Sequence, residues 1–143
     1  MVFVCTGNTC RSPMAEIILK DLAKKRNLDL NISSAGIITI DGLSASENSK
    51  KAVEEIGLNL NDFKSRVLNK EIVERADLIL TMTEAHKTSI EDDFGDIKKV
   101  FTISEYSEEI GDIADPYGLP LYFYEECRNQ IENKLKTIIK KIQ

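Results

Sequence analysis

The sequence predicts a small doubly wound α/β fold: a four-stranded parallel sheet with helices on both faces. Three observations predict it. Short apolar runs such as Val2–Val4 and Leu78–Thr81 alternate along the chain with stretches of helical periodicity. Strands that alternate with helices pair in parallel β-α-β units. The 143 residues carry no internal repeat, low-complexity tract or Pro/Gly/Ser-rich linker, so residues 1–143 are expected to form one domain. A chain of this size buries roughly 68–70% of its unfolded surface and needs no disulfide or metal staple.

The elements follow in order. Val2–Val4 reads as a buried strand. Ser12-Pro13 reads as a helix start, Ser as cap and Pro at the first helical position. Met14, Ile17, Ile18 and Leu22 then recur at helical spacing to about Lys25. Leu30–Ser34 is a second strand, closed by Ala35-Gly36. A helix from about Ser46 to Ile56 is stopped by Gly57. Asn69 caps a short helix through Arg75. Leu78–Thr81 is the third strand, followed by a helix from about Glu84, and Val100–Ile103 is the fourth. The last helix runs from about Leu121 to the C-terminus, its apolar stripe being Tyr124, Cys127, Ile131, Leu135, Ile138 and Ile142.

Composition narrows the function. A net charge of −5 argues against general nucleic-acid binding, which needs a basic footprint. No apolar stretch approaches the ~20 residues that span a membrane, and the opening run is too short for a signal peptide. Three cysteines are an odd number, which disfavours a disulfide framework and fits reduced thiols in the cytoplasm.

The chemistry is concentrated in Cys5-Thr6-Gly7-Asn8-Thr9-Cys10-Arg11-Ser12-Pro13, between the first strand and first helix. In doubly wound sheets ligands bind beyond the carboxyl ends of the strands. Gly7 supplies backbone freedom for the turn, and Asn8 tolerates left-handed backbone and can bond the loop to itself. Backbone N–H groups in such a turn converge on an anion, and the following helix adds its positive end. Arg11 adds a fork of donors suited to phosphate. The same field favours thiolate over thiol at Cys5. A nucleophile aimed at a cradled tetrahedral anion is the design of a covalent phosphatase. A bare C-x5-R is a weak match; its setting between a strand and a helix start gives it weight. The leaving group needs a proton, and Asp115 can supply it. Pro116 pushes Asp115 into an extended conformation, on a loop able to lean over the site.

These residues resemble the low-molecular-weight protein tyrosine phosphatase family, over nearly the whole chain. The matching segments are Val4 through Glu16, Ser34-Ala35-Gly36, Ala76 through Thr83, and Asp115-Pro116-Tyr117-Gly118. The resemblance implies that Cys5 is the nucleophile, that Arg11 binds the phosphoryl group and that Asp115 is the general acid. It implies that Asn8, Ser12 and Ser34 shape the loop and tune the thiolate, and that Tyr117 walls the pocket. A histidine in the region of His86 can help fix the loop asparagine. Cys10 can form a reversible disulfide with Cys5, against the plainer reading of a small buried filler. No metal or cofactor belongs to the family's mechanism, and the expected partners are phosphorylated proteins acted on by a monomer.

One branch looks closer. Bacterial protein arginine phosphatases carry Thr where tyrosine phosphatases usually carry a bulkier apolar residue, and here that position is Thr9. A phosphotyrosine ring wants an apolar wall, whereas the phosphoarginine guanidinium carries N–H donors that need acceptors. The Thr9 hydroxyl can accept one, and Asp115 can hold the guanidinium before protonating the leaving nitrogen. Thr9 could also merely suit a tight loop. After Gly118 the sequence reads Leu119-Pro120-Leu121, where many relatives have a second Gly and a Ser. Tyr122 and Tyr124 read as helix packing, and Cys127 as core.

Three other functions compete. Thr6-Gly7-Asn8-Thr9 resembles the phosphate loop of flavodoxins, whose fold class is the same, but a flavin phosphate needs neither thiol nor Arg. Arsenate reductases share the Cys-x5-Arg loop but relay a disulfide through further cysteines after strand three, and Thr81–Ile97 contains none. A non-catalytic phosphate-binding module would have no need of Cys5, Arg11 and Asp115 together.

Overall fold

A computed structural model of the chain describes residues 1–143. Its four strands are β1 (Val2–Cys5), β2 (Ser33–Gly36), β3 (Ile79–Thr81) and β4 (Val100–Thr102), all parallel, in the order β2-β1-β3-β4. The helices are α1 (Arg11–Lys25), α2 (Glu47–Glu54), α3 (Lys70–Arg75), α4 (Glu84–Phe94), α5 (Ile103–Tyr106) and α6 (Leu121–Ile142). This is the doubly wound sheet that the alternation of strands and helices predicts.

Successive side chains of a strand point to opposite faces, and the core divides accordingly. Phe3, Cys5 and Leu80 pack on one face with Met14, Ile18 and Leu22 of α1 and Ile131, Leu135 and Ile138 of α6. Val2, Val4, Ile79 and Val100 pack on the other with Val73 of α3 and Ile90 of α4. The chain passes from β1 outward to β2, then crosses to the far side of β1 for β3. The carboxyl end of β1 therefore stands at the switch point, where loops leaving β1 and β3 diverge and open a crevice.

Several boundaries differ from the sequence reading. The second strand is Ser33–Gly36 rather than Leu30–Ser34, because Val2 through Cys5 pair with Ser33 through Gly36. The fourth strand stops at Thr102, whose hydroxyl accepts from Glu105 N–H in a capping box that starts the one-turn helix α5. Helix α1 begins at Arg11, and Ser12 is not its cap: the cap position is Cys10, with no side-chain cap bond. Tyr124 is buried as expected, but Tyr122 is exposed, its ring edge-on to Phe123. Cys127 is buried in the core, and burial pushes its thiol up to about 12. No helix is long and apolar enough to cross a membrane.

Candidate active site

Residues 6 to 10 turn over the end of β1 and deliver the chain into α1. The left-handed backbone the turn requires falls on Asn8, at φ 56°, and not on Gly7. A Cβ on Gly7 would touch only Thr9 Oγ1, at 3.8 Å, so this glycine does not supply the turn's special conformation. The close approach is at Gly36 at the end of β2. A Cβ there would stand 2.8 Å from the Thr6 carbonyl oxygen and 2.9 Å from Asn8 Cβ. The loop rests directly on that glycine.

The amide of Asn8 locks the loop from inside. Arg66 N–H donates to Asn8 Oδ1 at 2.9 Å, which leaves Nδ2 as the donor end. Nδ2 gives its two protons to Ser12 Oγ at 2.8 Å and to Ser34 Oγ at 3.0 Å. Ser34 donates in turn to Glu16 Oε1 at 2.7 Å, and Lys20 holds the other oxygen of that carboxylate at 2.7 Å. Ser12 Oγ, which accepts from Asn8, lies 2.9 Å from Cys5 Sγ and can give its own proton to a thiolate there. Asn8, Ser12, Ser34 and Cys5 are all at most 2% exposed. This network brings together Asn8, Ser12 and Ser34, the residues expected to shape the loop. Sequence reasoning did not identify Glu16 or the backbone of Arg66. Glu16 does fall one turn after Ser12 on α1, a spacing that hinted at a shared face.

The opposite wall is made by Arg11, Thr6, His86 and the Asp115 loop. Arg11 is 4% exposed. Its Nη1 donates to the Ile113 carbonyl at 2.8 Å, and its Nη2 donates to Thr6 Oγ1 at 3.4 Å and lies 3.6 Å from Asp115 Oδ2. Arg11 Nε is buried without a partner. His86 Nε2 lies 2.8 Å from Thr6 Oγ1, and its Nδ1 is buried without a partner. His86, expected to help fix the loop asparagine, has Thr6 as its hydrogen-bond partner, while Asn8 is held by Ser12, Ser34 and the Arg66 N–H. Burial, and then the Arg11 charge, push His86 down to about 4, against weaker opposing pulls from Asp112 and Asp115.

The Asp115 loop is pinned rather than loose. Ile113 is fully buried and its N–H donates to the Met82 carbonyl at 3.0 Å, at the end of β3. Asp112 Oδ1 accepts from Glu84 N–H at 2.9 Å at the start of α4. From this anchor Asp115 projects over Arg11, and its Oδ1 accepts from Tyr117 N–H at 3.1 Å. Asp115 and Tyr117 remain solvent-accessible, Tyr117 at 75%.

Cys5, Thr6, Gly7, Thr9, Cys10, Arg11, Asp115 and Tyr117 line one pocket of about 210 Å³. A nucleophilic sulfur and an arginine fork from the β1–α1 loop thus converge with a carboxyl group from a distant part of the chain. Helix α1 has neither a side-chain cap nor an acidic residue in its first turn. Its first N–H groups and its positive end are left for an anion. Cys10 Sγ contacts Ser46 Oγ at 3.5 Å and Tyr124 OH at 3.6 Å, and all three cysteines are free thiols. Burial and the contact with Cys10 push Tyr124 up to about 12. No group of three or more His, Cys, Asp or Glu side chains is arranged to hold a metal ion.

A parallel sheet with a cysteine and an arginine in an anion loop at its switch point defines the class: a cysteine-dependent phosphatase. The family model for low molecular weight phosphotyrosine protein phosphatase matches residues 1–143, and the chain belongs to that family. It is 39% identical to the protein-arginine-phosphatase of Bacillus subtilis over 145 residues, covering 100% of this chain and 96% of the relative. It is 41% identical to a low molecular weight protein-tyrosine-phosphatase of Staphylococcus haemolyticus over 131 residues, covering 92% and 91%. A crystal structure of a YwlE mutant from Bacillus subtilis superposes with a TM-score of 0.94 at 39% identity, over 99% of this chain and 96% of that one. A second structure, a YwlE arginine phosphatase mutant with a phosphorylated active-site serine, gives 0.95 at 39% identity over 99% and 93%.

Proposed function

We propose that this phosphatase acts on phosphoarginine in proteins, with Cys5 as nucleophile, Arg11 as phosphoryl clamp and Asp115 as general acid. The carrying observation is that Thr9 lines the same small pocket as those three residues. Its hydroxyl offers an acceptor to a guanidinium N–H where an aromatic ring would want an apolar wall. The likeness to protein-arginine-phosphatases over the whole chain supports the reading.

The loop N–H groups from Thr6 to Ser12 and the Arg11 donors receive the phosphoryl oxygens. Arg11 Nε is the donor that the protein itself leaves unused. Cys5 Sγ attacks phosphorus, forming an S–P bond as the P–N bond breaks. Asp115 gives its proton to the departing guanidine nitrogen. Water then attacks the cysteinyl phosphate, losing its proton to the Asp115 carboxylate. The S–P bond breaks, the sulfur leaves as thiolate, and the Ser12 hydroxyl is placed to donate to it.

A second reading keeps this mechanism with phosphotyrosine as substrate. The Tyr117 ring at the mouth of the pocket favours it, as does the Staphylococcus relative. Phosphate release from phosphoarginine and from phosphotyrosine, under reducing conditions and with Cys5→Ser as blank, decides between them. Preference for phosphoarginine is the expected result. Thr9→Ile should then shift relative kcat/KM toward phosphotyrosine by about tenfold or more, since a site built on a polar contact discriminates strongly. An unchanged ratio would remove Thr9 as selector. We assign the enzyme to the cytoplasm, where three free thiols stay reduced, and expect it to act as a monomer.

A further inference from the structure

The single histidine of the chain is buried against the pocket wall, yet the mechanism above does not use it. A neutral imidazole carries one N–H and one bare nitrogen. His86 Nδ1 has no partner, and His86 Nε2 faces Thr6 Oγ1 at 2.8 Å. A proton on Nδ1 would have no acceptor, whereas one on Nε2 meets Thr6 Oγ1, so the proton belongs on Nε2. Arg11 Nη2 points to the same Thr6 oxygen, at 3.4 Å. Two donors then occupy the lone pairs of Thr6 Oγ1. The hydroxyl proton of Thr6, a residue lining the pocket, is left to be given away.

We propose that His86 is a positioning residue: by donating to Thr6 Oγ1 together with Arg11, it turns the Thr6 hydroxyl into a further donor to the bound phosphoryl group. The same arrangement holds Arg11 from two sides, through Thr6 and through the Ile113 carbonyl. A histidine kept neutral fits this task, because its cationic form would place a second charge beside Arg11. The inference rests on the phosphatase reading of the pocket.

Because there is one histidine, ¹⁵N-histidine labelling of the native enzyme reports this ring alone. The expected spectrum shows a protonated Nε2 and a bare Nδ1. A protonated Nδ1, or an averaged ring exchanging freely with water, would overturn the proposal. The second arm is kinetic. Thr6→Val should lower kcat/KM about tenfold, the worth of one hydrogen bond to a charged group, and weaken inorganic phosphate binding similarly. Thr6→Ser should restore both. His86→Leu should cost about the same, His86→Gln much less, and the double variant Thr6→Val/His86→Leu no more than Thr6→Val alone. Additive losses would overturn the proposal. If His86→Leu does not fold, the tautomer and the Thr6→Val and Thr6→Ser pair still decide. An active enzyme with the wrong tautomer sinks this inference alone, whereas a native enzyme inert on every phosphorylated residue sinks both.

Discussion

On the Asn8 side of the active-site loop, every buried polar side-chain atom has a partner; on the Arg11 side, Arg11 Nε and His86 Nδ1 have none. The Asn8 side is a closed chain from Lys20 and Glu16 through Ser34 and Asn8 to Ser12 and Cys5. The Arg11 side is two anchors, one unpartnered donor at Arg11 Nε and a bare imidazole nitrogen. A fully satisfied buried network rigidifies, while an unsatisfied donor in a pocket is an invitation to a ligand. One wall thus keeps the shape of the loop, and the other keeps its affinity in reserve. Changes on the Arg11 side should strike turnover and spare the fold; changes on the Asn8 side should strike both.

The largest expected effect is at the open wall. Asp115→Asn removes the proton donor while keeping size and shape. It should lower kcat by about 10²–10⁴ and leave the melting temperature within a degree or so of wild type, since the side chain is half exposed and its ion pair with Arg11 is loose, at 3.6 Å. Stopped assays beside a thermal melt read both quantities. A large loss of stability would mean that this loop belongs to the frame.

Next comes the closed wall. Asn8→Ala forces an alanine into left-handed backbone and orphans Ser12, Ser34 and the Arg66 N–H at once. The penalty should be about 2–4 kcal/mol by urea denaturation, with activity falling alongside it. Asn8→Gly relieves the backbone but not the orphans, so it should recover only part of the stability. Full recovery by glycine would show that the network is dispensable.

Much of this was legible in the sequence, and the reasons differ by residue. The Cys5–Ser12 loop could be read because strand, loop and helix start are contiguous and each residue type has a local task. Asp115 was marked by Pro116. The partners reached across the fold were not legible. Glu16 meets Ser34, and Ile113 offers Arg11 a carbonyl, through pairings that no local pattern encodes. Ser12 was misread as a helix cap because its hydroxyl is claimed by Asn8 and Cys5, a tertiary demand that overrides local capping preference. The single turn of α5 could have been found, since Thr102 and Glu105 stand at capping-box spacing.

Gly36→Ala probes the floor beneath both walls. The new methyl would press on the Thr6 carbonyl and Asn8 Cβ, backbone and near-backbone atoms that cannot swing aside. Displacing the loop should cost about 2 kcal/mol and raise KM for the phosphorylated substrate. A variant with unchanged stability and KM would show that loop and strand are free to part.

The smallest effect separates the walls by pH. In the unfolded chain His86 titrates near its ordinary 6.5, whereas in the folded chain burial and Arg11 hold it down to about 4. Between those values the unfolded state binds more protons, so stability rises with pH through this window and falls as acid is added. The contribution is complete above about pH 6.5 and is lost as pH drops toward 4. With allowance for solvent screening it amounts to on the order of 1–2 kcal/mol. Urea denaturation at pH 7 and pH 5 should show that drop in the native protein, and His86→Gln should remove this part of it, since glutamine does not titrate. Ser34→Ala, by contrast, removes hydrogen bonds from the closed wall and should lower stability at pH 7 and at pH 5 alike. If His86→Gln leaves the pH dependence untouched, the histidine binds its proton equally well folded and unfolded, and neither burial nor Arg11 holds it neutral.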